Sequence, residues 1–520
     1  MSRLLQDYLR ASAEVRPEAT ALVMGEERMT YGELESTSNR LARLLVGTGV
    51  RRGDRVCLFV PKSPAAIVGM LSVLKADAVY VPIDISSPAP RVRRMMEAAQ
   101  PRLLLATRPA TGLIDEVLAG QAARPMVASL EVGSLCGASF RSAFSLADAA
   151  AHPDEAPPRV NTETDPAHLL FTSGSTGTPK GVVITHANVR HFVDWAACHF
   201  ETQPSDRISG HPPLYFDLST FDIYGTLSAG AQLHLVPPEL NLLPNKLAAF
   251  IREHELTQWF SVPSTLTQMV KFGAVRDFPS LRRLLWCGEP MPTPTLMALM
   301  DKLPHVRFTN LYGPTEATIA SSYYDVPKRP ASELEPIPIG RACAGEELLV
   351  LDEELAPVPP GEVGHLYIGG VGLSPGYWQD EAKTGAAFLP DPRDPSGSAR
   401  IYRTGDLGRQ DEAGLFYCLG RLDSQIKSRG YRIELGEIEA AVSSLTGLRE
   451  CAVVGVRVGG FEGTAICCAY APSQGCAPEP ASLRGQLAEL LPRYMLPNHW
   501  MSYEVLPKNP NGKIDRKKLK

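Results

Sequence analysis

The sequence predicts an α/β protein with a large N-terminal domain of parallel and mixed sheets, including a β-rich, barrel-like subdomain, and a small mobile C-terminal α+β domain. Three observations carry this. First, β-rich runs alternate with helical patterns, as in "DRVCLFV", "PAAIVGMLSVLKA" and "AVYVPID", the pattern of largely parallel sheets. Second, residues 361–418 switch to short strands broken by Gly and Pro turns. Third, after "GRLDSQIKSRGYR" the pattern becomes a helix, two strands, a second helix and a basic tail. A chain of 520 residues also exceeds one ordinary core. The expected division is 1–422 and 424–520, with the boundary at Asp423.

Taken in order, "AAIVGMLSVLKADAVYV" is the most apolar stretch, but Lys75 and Asp77 interrupt it. A buried helix running into a strand is expected there rather than a membrane span. "AAHPDEAPPRVNTETDP" reads as a surface connection. "GVVITH" reads as a strand leaving the glycine-rich stretch before it. The helix "ELGEIEAAVSSL", the strands "ECAVVGVRV" and "GTAICCAYA", and the helix "ASLRGQLAELL" build the C-terminal domain. With 52 basic and 57 acidic residues, a net charge of -5 argues against nucleic acid or an anionic membrane as main partner. The N-terminus carries charges throughout and has no signal-peptide pattern. Ten cysteines lack paired metal spacing, and Cys467 and Cys468 are adjacent in an apolar run. Buried thiols in a reducing cytoplasm are therefore expected.

Chemistry concentrates in a few stretches. "TSGSTGTPK" offers backbone N–H groups in a glycine- and hydroxyl-rich turn, with Lys180 as a point charge, which suits phosphate oxygens. It is not a Walker loop, because Pro179 precedes Lys180 and a strand follows; taken alone it also suits a surface hairpin. "NLYGPTEATIASS" supplies Tyr312 for stacking on a purine and Glu316 as a hard oxygen ligand for Mg²⁺. "YRTGDLGR" sets Asp406 after a glycine turn, where it can accept from ribose hydroxyls. Each also reads as an ordinary turn residue when taken singly.

Together, "LLFTSGSTG", "YGPTEAT", "YRTGDLGR", "GRLDSQIKSRGYRIELGEIE" and "NPNGKIDRKKL" resemble the adenylate-forming superfamily. Within it, the chain is similar to adenylation domains of nonribosomal peptide synthetases and to stand-alone D-alanine– and L-proline–carrier protein ligases. "MTYGELESTSNRLARLL" and "LKADAVYVPIDISSPAPRVRRMM" match earlier motifs of that group, with Asp77 in place of the usual glycine. The resemblance implies two half-reactions: a carboxylate attacks the α-phosphate of ATP, and a phosphopantetheine thiol then takes the acyl group. It implies that Thr172, Ser173, Gly174, Ser175, Thr176, Gly177 and Lys180 grip phosphates. Asn310, Tyr312 and Gly313 would face adenine, Asp406 the ribose, and Arg421 the ribose–phosphate region. Thr315 and Glu316 are implied in catalysis, Glu316 as Mg²⁺ ligand, and Lys513 as the catalytic cation. Asp423 would be a hinge, and rotation there would exchange Lys513 for a pantetheine tunnel formed by Lys427, Arg429, Gly430 and Tyr431. Cys418 departs from the aromatic that many relatives carry.

The resemblance also places the substrate. Asp217 in "YFDLSTFDIYG" would pair with the α-ammonium of an amino acid, giving a buried carboxylate its partner; helix capping is the alternative. Phe216 resembles a gate between the half-reactions. Pocket walls by this likeness are Leu218, Phe221, Phe260, Leu285, Cys287, Gly288, Leu311, Ile319 and Ala320. None is charged, so a small neutral side chain is expected, alanine ahead of proline because sulfur at 287 shrinks the cavity; glycine and serine stay open. A stand-alone, monomeric enzyme loading a separate carrier protein is expected. The readings kept against it are free coenzyme A as acceptor and a non-catalytic amino acid- or nucleotide-binding protein.

Overall fold

The computed structural model describes residues 3–121, 124–174, 178–458, 464–473, 478–509 and 514–520. Of the residues singled out above, Ser175, Thr176, Gly177 and Lys513 lie outside the described residues, as does Cys476.

Among the described residues, the strands form two large sheets, a smaller antiparallel sheet, a two-stranded hairpin and a C-terminal sheet. The first is six-stranded, in the order Met126–Ser129, Leu103–Ala106, Arg55–Phe59, Val79–Pro82, Pro166–Thr172, Lys180–Thr185. Its strands run parallel except the last, which turns back on its neighbour and so frames the glycine-rich turn. The second is nine-stranded, with a parallel centre formed by Arg207–Gly210, Gln258–Ser261, Arg283–Trp286 and Arg307–Tyr312. Both read as continuous apolar runs because helices cover their faces. One core joins Leu22 and Leu233 of the nine-stranded sheet to Leu58 and Leu105 of the six-stranded sheet.

The expected buried helix is Pro64–Lys75, running into the strand Val79–Pro82. Ser63 caps it by accepting from the Ala66 N–H, and Pro64 suits the first turn, where a missing N–H costs nothing. Lys75 keeps its charge inside by pairing with Glu35 at 2.7 Å. Asp77 sits at φ +55°, which explains why glycine suits this position. Aspartate tolerates that backbone better than most residues, and its carboxylate accepts from the Val160 N–H at 2.6 Å.

Residues 346–421 form the expected antiparallel, half-barrel sheet of five strands. Beyond it, the hairpin Gln425–Ser428 and Tyr431–Glu434 precedes the helix Leu435–Ser443. Strands Leu448–Arg457, Thr464–Pro472 and His499–Ser502 then form a sheet covered by this helix and by Pro480–Ala488. One expectation needs correction. Most described cysteines are buried, but Cys136 and Cys198 are exposed because both fall on surface segments.

Candidate active site

The site lies at the C-terminal ends of the parallel strands, where backbone groups and helix starts converge. Lys180 begins the strand after the glycine-rich turn, and its ammonium lies 3.2 Å from Glu316. Tyr377 donates its hydroxyl to Glu316 Oε1 at 2.8 Å and accepts from Lys180 Nζ at 2.9 Å. Arg432 donates to Glu316 Oε2 at 2.6 Å. Burial opposes charge on Glu316, yet Arg432 and Lys180 hold its carboxyl well below the usual carboxylate range. Burial likewise lowers the Lys180 ammonium, with Glu316 opposing the shift.

Glu316 suits Mg²⁺ chemically, as a hard oxygen donor beside Thr315, which lines the cavity. Among the described residues, no group of three or more metal-ligating side chains occurs. Arg432 engages Oε2, so the cation and the guanidinium are alternatives at that oxygen.

The nucleoside residues form a second group. Tyr312 donates to Asp406 Oδ2 at 2.5 Å, and Arg421 donates to Asp406 Oδ1 at 3.0 Å. Arg421 also pairs with Asp423 at 2.6 Å, so the residue expected as hinge is tied to the ribose group's cation. Gly313 has no room for a side chain, since an added Cβ would lie 2.6 Å from the Ala320 Cα. Asn310 turns its amide to the Pro338 carbonyl at 2.7 Å, a structural bond on the strand.

Asp217 opens the helix Asp217–Ala229, whose N-cap position is Phe216 and has no side-chain cap bond. The Asp217 carboxylate accepts from the Leu218 N–H in the helix's first turn, so the capping alternative accounts for part of its surroundings. Its carboxylate faces a cavity of about 120 Å³ that also meets Leu218, Val262, Cys287 and Gly288. Thr315 donates to it, and no cation pairs with it among the described residues. Burial pushes its carboxyl up to about 6, against the Thr315 bond and the distant Lys427 charge. Of the expected pocket walls, Leu218, Cys287 and Gly288 line the cavity. Phe221, Phe260, Leu285, Leu311, Ile319 and Ala320 pack behind it in one apolar cluster with Phe192. The Phe192 and Phe221 rings meet edge to face at 5.3 Å.

The hairpin of the small domain closes this cavity from the other side. Ser173 donates to the Arg432 carbonyl at 2.7 Å, and the Gly430 N–H donates to Glu289 at 2.9 Å. Gly430 has φ +80°, next to Arg429 at φ +53°. The Lys427 ammonium lies 5.8 Å from the Tyr312 ring centre. Tyr431 stacks on Tyr494 at 3.7 Å and meets the Phe216 ring edge-on at 4.9 Å. Thus Phe216, Lys427, Gly430 and Tyr431 come together with the phosphate and substrate groups. Sequence reasoning missed Arg432, Tyr377, Glu289, Val262 and Tyr494. Arg432 was legible in principle, since it follows Tyr431 on a strand and must point to the opposite face.

The flanks of residues 510–513 are held elsewhere: Lys508 pairs with Glu450 at 2.9 Å and Arg516 with Glu439 at 2.5 Å, both within the small domain.

Two large sheets, a five-stranded half-barrel and a small C-terminal domain define the class, an adenylate-forming fold. Comparison with known proteins agrees: the chain belongs to the AMP-binding enzyme family, matching it over residues 9–378 and the AMP-binding enzyme C-terminal domain over residues 437–513. It is 34% identical to an L-proline--[L-prolyl-carrier protein] ligase of Pseudomonas fluorescens, over 99% of this chain and 98% of that protein. It is 35% identical to a dimodular nonribosomal peptide synthase of Bacillus subtilis, over 99% of this chain but 21% of the synthase. Other long synthetases that it matches are covered over only 6% to 42% of their lengths. Among solved structures, it resembles holo-PA1221, a nonribosomal peptide synthetase protein with adenylation and PCP domains. That likeness has a TM-score of 0.80 at 27% identity, covering 100% of this chain and 84% of that one. Among the described residues, no helix is long and apolar enough to cross a membrane.

Proposed function

We propose that this protein uses ATP to adenylate a small neutral amino acid, alanine ahead of proline, and passes the aminoacyl group to the phosphopantetheine thiol of a separate carrier protein. The observation that carries this reading is Asp217. A carboxylate raised to about 6 at the head of a closed cavity, with no cationic partner among the described residues, suits the α-ammonium of an amino acid. The uncharged residues at this end of the cavity, Leu218 and Cys287, and the apolar layer behind them favour a small neutral side chain. Proline is the second reading, favoured by the similar L-proline ligase.

In the first half-reaction, Asp217 orients the amine so that a substrate carboxylate oxygen attacks the α-phosphorus of ATP and pyrophosphate leaves. Bound Mg²⁺ would neutralise phosphate charge beside Glu316. Lys180 binds phosphate oxygens, and Asp406 holds the ribose. Lys513 supplies a further cation for the developing charge. In the second, the thiol sulfur attacks the acyl carbon and AMP leaves. The arrangement described above suits this second step, because the hairpin with Lys427, Gly430, Tyr431 and Arg432 fills the phosphate side. A turn of the small domain about Asp423, separating 1–422 from 424–520, would exchange this hairpin for Lys513.

Amino-acid-dependent ATP–pyrophosphate exchange, screened over the common amino acids and D-alanine, tests the reading. Exchange with alanine or proline is expected. Exchange only with a fatty or aryl acid would defeat it.

A further inference from the structure

The hairpin's bonds to Ser173, Glu289 and Glu316 all lie inside the active site, so ligands at that site compete with them. One contact between the two parts of the chain involves neither Glu316 nor the phosphate turn, although Arg91 itself lines the cavity at Asp217. Arg91, on the helix Ala89–Ala99, donates to Glu437, on the helix Leu435–Ser443. The two are 346 positions apart in sequence. Their side chains are 5% and 1% exposed, and Arg91 also reaches the Met495 sulfur at 3.7 Å.

We propose that Arg91 and Glu437 are positioning residues for the second half-reaction, a buried ion pair that fixes the small domain in the thiol-accepting arrangement. This rests on the functional reading above. When the small domain turns away, the contact opens and both charges regain water. Pairing therefore acts on the docked arrangement and not on the open one. A buried pair gains little over a well-packed apolar contact, but removing one partner strands the other charge without compensation. Here the stranded group would be Arg91, enclosed by Met495 and the small domain. The penalty falls on docking, and Arg94, one turn further along the same helix, adds its charge to the field at Glu437.

Glu437→Ala is the test, with free pantetheine as acceptor. Exchange of pyrophosphate into ATP should stay within about twofold of wild type. Transfer from preformed aminoacyl-adenylate, with pyrophosphate removed, should slow by on the order of tenfold or more. A fluorophore pair placed on the two domains, read without any substrate, should show the close-distance population reduced. Equal losses of exchange and transfer at an unchanged distance distribution would overturn the proposal, as would unaltered transfer. If wild type exchanges with no amino acid, the functional reading fails. The distance measurement then still decides the ion pair, and an unchanged distribution overturns it.

Discussion

Lowering the pH should weaken amino acid binding through Asp217 before it affects the nucleotide. The carboxyl stands at about 6 instead of the ordinary 3.8, which corresponds to about 3 kcal/mol against ionisation in the empty site. A substrate ammonium needs the ionised form. Above about pH 7 that form dominates, and the apparent Kd should be flat. As the pH falls through about 6, binding must first expel a proton, and the Kd should rise by roughly tenfold at pH 5. The linked effect on stability has the opposite sense: the ligand-free protein is favoured by protonated Asp217 and loses that contribution as the pH rises from about 4 to about 6. Asp217→Asn should bind alanine on the order of a hundredfold more weakly, since a charge-assisted bond is lost, with no such pH slope. Calorimetric titration of alanine against the complex with a non-hydrolysable ATP analogue, at fixed ionic strength, measures both. A flat wild-type profile between about pH 5 and pH 7, or an Asn variant as tight as wild type, would refute the reasoning.

Glu316→Gln should abolish Mg²⁺-dependent exchange and also lower stability by about 3–5 kcal/mol, because Arg432 and Lys180 would lose a shared buried partner; an unchanged denaturant midpoint would contradict this. Gly430→Ala sets a Cβ 2.5 Å from Val262 Cγ1 at φ +80°. Strain of about 1–2 kcal/mol should slow thiol transfer roughly five- to thirtyfold while exchange changes less, and comparing the two rates checks it. Cys287→Ala removes the sulfur that meets the cavity. The proline-to-alanine ratio of kcat/KM should rise by roughly tenfold, and a constant ratio would remove the volume argument.

The fold was legible because its signals are local: alternating apolar runs for the parallel sheets, a glycine and proline density for the half-barrel, and a changed period for the C-terminal domain. The residues expected to meet phosphate and ribose stood out for a related reason, since glycines, hydroxyls and carboxylates cluster there within a few positions of sequence. What escaped were contacts between distant segments. Nothing near Glu316 in sequence indicates that Arg432 and Tyr377 hold its two oxygens. Phe192 is another case, since only the packing of its helix against Asp217–Ala229 sets that ring behind the cavity. Depth was hidden too: six of the nine expected pocket walls lie in a packed layer that the cavity does not reach. Exposure of Cys136 and Cys198 depends on which segments reach the surface, a tertiary property that cysteine counting does not see.

Glu316 has a consequence for the order of events. The Oε2 oxygen that suits a metal-bound triphosphate is the one that Arg432 occupies when the small domain is docked, while Ser173 of the expected phosphate turn bonds to the Arg432 carbonyl. On the proposed two-step cycle, pyrophosphate and the docked domain are rivals for one seat. Pyrophosphate would therefore inhibit thiol transfer by displacing part of the protein itself, and a high concentration of an acceptor that enters only the docked arrangement would relieve it.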